Sequence, residues 1–196
     1  MLCQFTVKNF KSIRDEVTFD MQAAAISEHE DRIIIDKDEQ KYLPVSAVYG
    51  PNGGGKSNVL AALHTLVAKV LRPLLATEDS EEKVLLQRKI IVEPFAFSKS
   101  KDEPTEFELF FRTTVSEYRY ILHVKRDIVL YESLDRVKLE TGRKSALFTR
   151  DENGIVLKGA FAKLKVSDEL SKTLTLLSYL GIAYKGNAVV LQLFSF

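Results

Sequence analysis

Gly50-Pro51-Asn52-Gly53-Gly54-Gly55-Lys56-Ser57 is the stretch on which the reading of this chain turns. It fits the pattern G-x-x-x-x-G-K-[ST] without a gap, and its flanks fit as well. Before it, Pro44-Val45-Ser46-Ala47-Val48-Tyr49 is a compact apolar run that predicts a buried strand. After it, Val59, Leu63, Leu66, Val67, Val70 and Leu74 recur at helical spacing and predict one apolar face. That helix is expected to end or kink near Arg72, because Pro73 lacks a donor and disfavours helix at the residue before it. Strand, glycine-rich loop and helix in this order predict an α/β fold of the P-loop kind, with a mixed sheet.

The chemistry such a loop serves is the holding of several negative charges at once. Gly50, Gly53, Gly54 and Gly55, spaced by Pro51 and Asn52, let the backbone curl so that successive N–H groups face inward. The helix N-terminus adds unpaired N–H groups and the positive end of a dipole. Lys56 is expected to reach the β- and γ-phosphates of a nucleotide, and the Ser57 hydroxyl to ligate Mg²⁺. ATP and Mg²⁺ are the cofactors this implies. No N-K-x-D tetrapeptide is present to read guanine, and no arginine-rich lid follows.

The remainder of the chain bounds the context. It has 196 residues, 45% of them hydrophobic, with 28 Lys and Arg against 27 Asp and Glu. That suits one domain with an elaborated part, and it excludes wholesale disorder. A formal net charge of +1 gives no general footprint for nucleic acid. Residues 105–172 carry 13 Lys and Arg against 11 Asp and Glu, a surplus of 2, so direct nucleic-acid contact by this chain is not expected. Cys3, the single cysteine, excludes an intrachain disulfide and reads as a small core residue. No signal-peptide layout opens the chain, and no apolar run approaches the ~18 residues of a membrane span. A cytoplasmic protein without a membrane partner is expected.

Residues 2–8 alternate as a strand, Val17-Thr18-Phe19 resumes it, and Ile33-Ile34-Ile35 suggests a short strand in a charged loop. Ile90-Ile91-Val92 begins another. Residues 105–158 read as an antiparallel meander, closed by a type I′ hairpin at Asn153-Gly154. A helix is expected over Ser167–Tyr179, capped by Ser167 with Asp168 and Glu169 at its positive end. The chain divides into a nucleotide-binding core at 1–89, a β subdomain at 90–160, and a helical, apolar segment at 161–196.

One family resemblance runs through most of the chain. The wording Gln4-Phe5-Thr6-Val7-Lys8-Asn9-Phe10-Lys11-Ser12-Ile13-Arg14-Asp15-Glu16, followed by Tyr49 through Asn58, resembles the AAA-named ATPases of the OLD and abortive-infection group. These are P-loop ATPases similar to the ATP-binding-cassette enzymes of chromosome maintenance (SMC-like). Pro94-Phe95-Ala96-Phe97, Pro104 through Glu108, Tyr118-Arg119-Tyr120 and Tyr131 through Leu134 continue the likeness. It implies that Lys11, with Ser12 beside it, lies near the nucleotide phosphates, and that Asn58 closes the loop motif.

The resemblance also says what hydrolysis needs: an apolar strand ending Asp-Glu, a signature loop and a switch histidine. Ile33-Ile34-Ile35-Asp36 precedes the P-loop and reads as a surface strand end; Leu177-Ser178-Tyr179-Leu180-Gly181 lacks the paired glycines of a signature loop. His29, His64 and His123 are scattered, with no metal spacing. Because Ala188 through Phe196 is mostly apolar, the expectation is an N-terminal lobe, completed by a C-terminal half that carries the missing residues. Such a lobe binds ATP but barely hydrolyses it alone. When complete, it forms a homo-oligomer through an ATP sandwich and acts as a switch in anti-phage or DNA-linked processes, with an effector nuclease as partner. The alternative is a non-catalytic nucleotide-binding or assembly module.

Overall fold

The computed structural model describes residues 1–25, 29–75, 90–97, 102–167 and 170–193. Asp168 and Glu169 therefore lie outside the described residues. The chain forms β1 (Leu2–Lys8), β2 (Val17–Asp20), β3 (Ile34–Ile35), β4 (Lys41–Tyr42), α1 (Lys56–Leu75), β5 (Thr105–Arg112), β6 (Ser116–Lys125), β7 (Ile128–Lys138), β8 (Lys144–Asp151), β9 (Gly154–Leu157), α2 (Leu176–Ala183) and α3 (Ala188–Leu193). Seven strands make one sheet in the order β2-β1-β5-β6-β7-β8-β9, and β3 pairs with β4 separately. All described pairings are antiparallel. With helices on one face, this is the α/β lobe that the P-loop frame implies.

Alternation along the strands sends one set of side chains to that face. Phe5, Val7, Phe107, Tyr120, Leu122, Leu134 and Phe148 are buried there with Ala62, Leu66 and Val70 of α1 and Leu176, Leu177 and Leu180 of α2. Cys3 is buried, as its apolar setting implied. On the opposite face Arg112 anchors the β3–β4 hairpin: its guanidinium reaches Asp36 (3.2 Å), Asp38 (2.7 Å) and Glu117 (2.7 Å) and lies over the Tyr42 ring. Asp36 is thus bound to a structural arginine.

Several local expectations need correction. Pro44 through Tyr49 form no strand: Val45 is 77% and Tyr49 90% exposed. A strand exists only beside another, and β4 is already paired with β3. Ile90-Ile91-Val92 contributes a single bridge, Val92 to Arg126. The α1 helix runs through Pro73 to Leu75 instead of stopping near Arg72. Its packing holds this turn, with the Ser178 hydroxyl donating to the Val70 carbonyl (2.7 Å) and Lys69 Nζ to the carbonyls of Asp127 and Thr173. Val67 faces solvent, and its place in the seam passes to Ala62 and Lys69.

The hairpin between β8 and β9 forms one residue earlier than expected. Asp151 pairs with Gly154, and the left-handed backbone falls on Gly154 (φ +124°), not on Asn153. The helix expected from Ser167 starts at Leu176, with Thr175 as N-cap. Glu132, fully buried on β7, explains the shift. Its carboxylate accepts the amides of Leu176 (2.6 Å) and Leu177 (2.9 Å) and the Tyr120 hydroxyl (2.9 Å). A distant acid thus satisfies the first amides of the helix.

By length and composition α1 could cross a membrane. Its Ala62, Leu66 and Val70 pack into the core against the sheet and α2.

Candidate functional site

The glycine-rich loop sits at the N-terminal end of α1, exposed over most of its length. Gly53 (φ +79°) and Gly55 (φ +81°) take left-handed backbone, which side-chain-bearing residues adopt only under strain. The Gly54 amide donates to the Pro51 carbonyl (3.1 Å), whereas those of Gly53 and Gly55 make no backbone bond among the described residues. Lys56 folds back over the loop and donates from Nζ to the carbonyls of Gly50 and Pro51, both at 2.8 Å. Ser57 is exposed in the first turn of the helix. Amides without a backbone partner, an ammonium group and a helix N-terminus thus occur within one short loop, the kinds of donor a polyphosphate needs.

Lys11 and Ser12 come from the turn between β1 and β2. Ser12 reaches the loop: its Oγ accepts from Asn58 Nδ2 at 2.6 Å. A Cβ on Gly55 would lie only 3.3 Å from the same Oγ. Lys11 is exposed beside it, with Nζ 5.6 Å from the Phe10 ring centre. Gly50, Pro51, Asn52, Gly53, Gly54, Gly55, Lys56, Ser57, Asn58 and Ser12 thus form one contiguous patch, with Lys11 at its margin.

Of the histidines, His64 is exposed on α1 and His29 precedes a short 3₁₀ turn. His123 packs at a tilt against the Tyr131 ring, and burial lowers its pKa. Among the described residues no three of His, Cys, Asp and Glu cluster as a metal site would.

A family model described as "AAA domain, putative AbiEii toxin, Type IV TA system" matches residues 45–179. The chain belongs to this AAA family. It is a P-loop ATPase family related to the abortive-infection type, which agrees in part with the resemblance read from the first residues. No curated protein matches the chain. The matched span takes in the whole glycine-rich loop of this AAA domain and begins after the Asn9–Ser12 turn.

Asn9, which precedes the matched span, is a residue that the reading of individual residues did not single out. It is buried at the end of β1 with a left-handed backbone (φ +56°). The available signal was its type: asparagine between a strand and a turn tolerates that conformation better than most residues.

Proposed function

We propose that this chain is the nucleotide-binding lobe of an ATP-driven switch. Mg²⁺-ATP is held by Gly50 through Asn58, with Lys11 and Ser12 alongside and Ser57 as the one side-chain ligand of the metal. The observation that carries the reading is the loop itself, at the start of α1, where Lys56 folds over the loop and the Gly53 and Gly55 amides make no backbone bond. The magnesium ion supplies charge neutralisation when bound. The chain's own part is to orient the phosphates through the loop amides and Lys56.

Hydrolysis, on this proposal, needs an acidic pair and a signature loop from a complementary C-terminal segment. Supporting this is the exposure of Val45, Val48 and Tyr49 beside the loop, an apolar run suited to burial between neighbouring strands. In this reading residues 1–89 hold the nucleotide, 90–160 form the β subdomain, and 161–196 lead towards the complementary segment. The complete ATPase works in the cytoplasm as a homo-oligomer closed over ATP, in the OLD and SMC-like manner. The abortive-infection description of the family supports a role in anti-phage defence, with a nuclease as effector.

Titration of the purified chain with Mg²⁺-ATP tests the reading, with Lys56→Ala as control. Binding that Lys56→Ala weakens about 100-fold or more is expected, with turnover appearing only when the downstream coding segment is added. Undiminished affinity in Lys56→Ala would sink the assignment. A second reading, a non-catalytic assembly module, is favoured by an apolar cavity of about 340 Å³ lined by Leu63, Val67, Leu71, Leu109, Phe111 and Leu193. ATP binding without turnover, even with the downstream segment, would select it.

A further inference from the structure

The turn that carries Lys11 and Ser12 is held in an unfavourable backbone. Asn9 (φ +56°) and Lys11 (φ +50°) are both left-handed, flanking Phe10, and such residues persist only where their surroundings over-determine them. The Asn9 carboxamide does so. Its Nδ2 donates to the carbonyls of Glu103 and Pro104, both at 3.1 Å, and its Oδ1 accepts the Phe95 amide at 2.9 Å. The Asn9 carbonyl accepts the Thr105 hydroxyl at 2.6 Å. Lys11 donates its amide to the Glu93 carbonyl at 2.9 Å, and Phe10 and Ile13 close the turn with a reciprocal pair.

Two segments distant in sequence, 93–95 and 103–105, thus fix one turn, and that turn puts the Ser12 Oγ against Gly55 and Asn58. Asparagine combines the two properties required. Glycine would take the backbone angle but make none of the side-chain bonds, and aspartate would turn a carboxylate towards two carbonyl oxygens.

We propose that Asn9 is a positioning residue for the nucleotide site, setting Ser12 against the glycine-rich loop and tying that contact to the start of β5. This rests on the nucleotide reading above. Asn9 is buried and acts through Ser12, and the value of Ser12 to binding depends on it.

A double-mutant cycle on Mg²⁺-ATP affinity tests this, with wild type, Asn9→Gly, Ser12→Ala, the double variant and Lys56→Ala. Each is assayed well below its own melting temperature. Asn9→Gly is expected to weaken ATP about five- to thirtyfold, and Ser12→Ala to cost nothing further in that background. A purely structural Asn9 lowers the melting temperature but leaves affinity at the wild-type value, or gives additive losses with Ser12→Ala; either result overturns the proposal. Should Asn9→Gly not fold, Thr105→Val releases the turn from its other side and is read the same way. Loss of binding in Lys56→Ala with indifference to Asn9→Gly removes this inference alone, whereas no binding by wild type removes the nucleotide reading with it.

Discussion

The β5–β9 meander and the segment leading into the glycine-rich loop are both rich in strand-forming residues, yet only one becomes sheet. Tyr118, Tyr120, Leu122 and Val124 on β6 are buried, with β5 on one side and β7 on the other. Val45, Val48 and Tyr49 are as apolar and remain exposed. Propensity is a property of a segment, but a strand is a property of a pair. The meander supplies its own neighbours through short turns, whereas residues 44–49 have none among the described residues.

Four measurements sharpen or break this contrast. The largest effect belongs to the deepest pairing. Glu132→Ala strands the Leu176 and Leu177 amides and the Tyr120 hydroxyl, and is expected to cost about 3–5 kcal/mol in urea unfolding. Leu122→Ala in the doubly flanked strand is expected to cost about 2–5 kcal/mol by the same assay.

The third measurement follows pH. The Arg112 guanidinium bonded to Asp38 holds that carboxyl below its usual range. Asp38 therefore binds its proton less readily folded than unfolded. Its contribution is complete above the ordinary carboxylate range and is lost as pH falls through the folded value. Amide resonances of residues 34–42 should accordingly loosen on acidification before those of β6 do, and Asp38→Asn should abolish the difference. Burial drives Glu132 the opposite way, raising its pKa, so its own contribution declines as pH rises through the folded value.

The smallest effect is expected at Val45. Val45→Ser should change stability by less than about 0.5 kcal/mol, because its side chain contributes little buried surface. A cost equal to that of Leu122→Ala would mean that residues 44–49 are structured like the meander, and the contrast would fail.

What could be read from the sequence follows the same division. Alternation over residues 2–8 and 105–125, and the helical spacing after Lys56, are local signals, and they yielded β1, the meander and the start of α1. The glycine-rich loop was legible because its chemistry is written in consecutive residues. What escaped depends on partners far along the chain. Glu132 caps a helix 44 residues later, Arg112 binds Asp36 across 76 residues, and Asn9 reaches Glu103 across 94. Each is an ordinary polar residue until its partner is known. The helix end expected near Arg72 falls instead at Leu75, because the packing of Lys69 and Val70 holds the turn that contains Pro73.

The sheet order also bears on how the chain is made. Strands β5 to β9 are neighbours in sequence as in space, so each can pair soon after it leaves the ribosome. The first strand can pair at once with β2 on one edge, but its other neighbour, β5, comes much later. The Lys8–Glu106 contact joins β1 to a partner 98 residues later, and at about 5–20 residues per second that is a wait of roughly 5–20 s. Through that interval Phe5, Val7 and Phe10, all destined for the core, have only the short β2 strand beside them. The earliest-made strand is therefore placed in two steps, one edge at once and the other only after this delay.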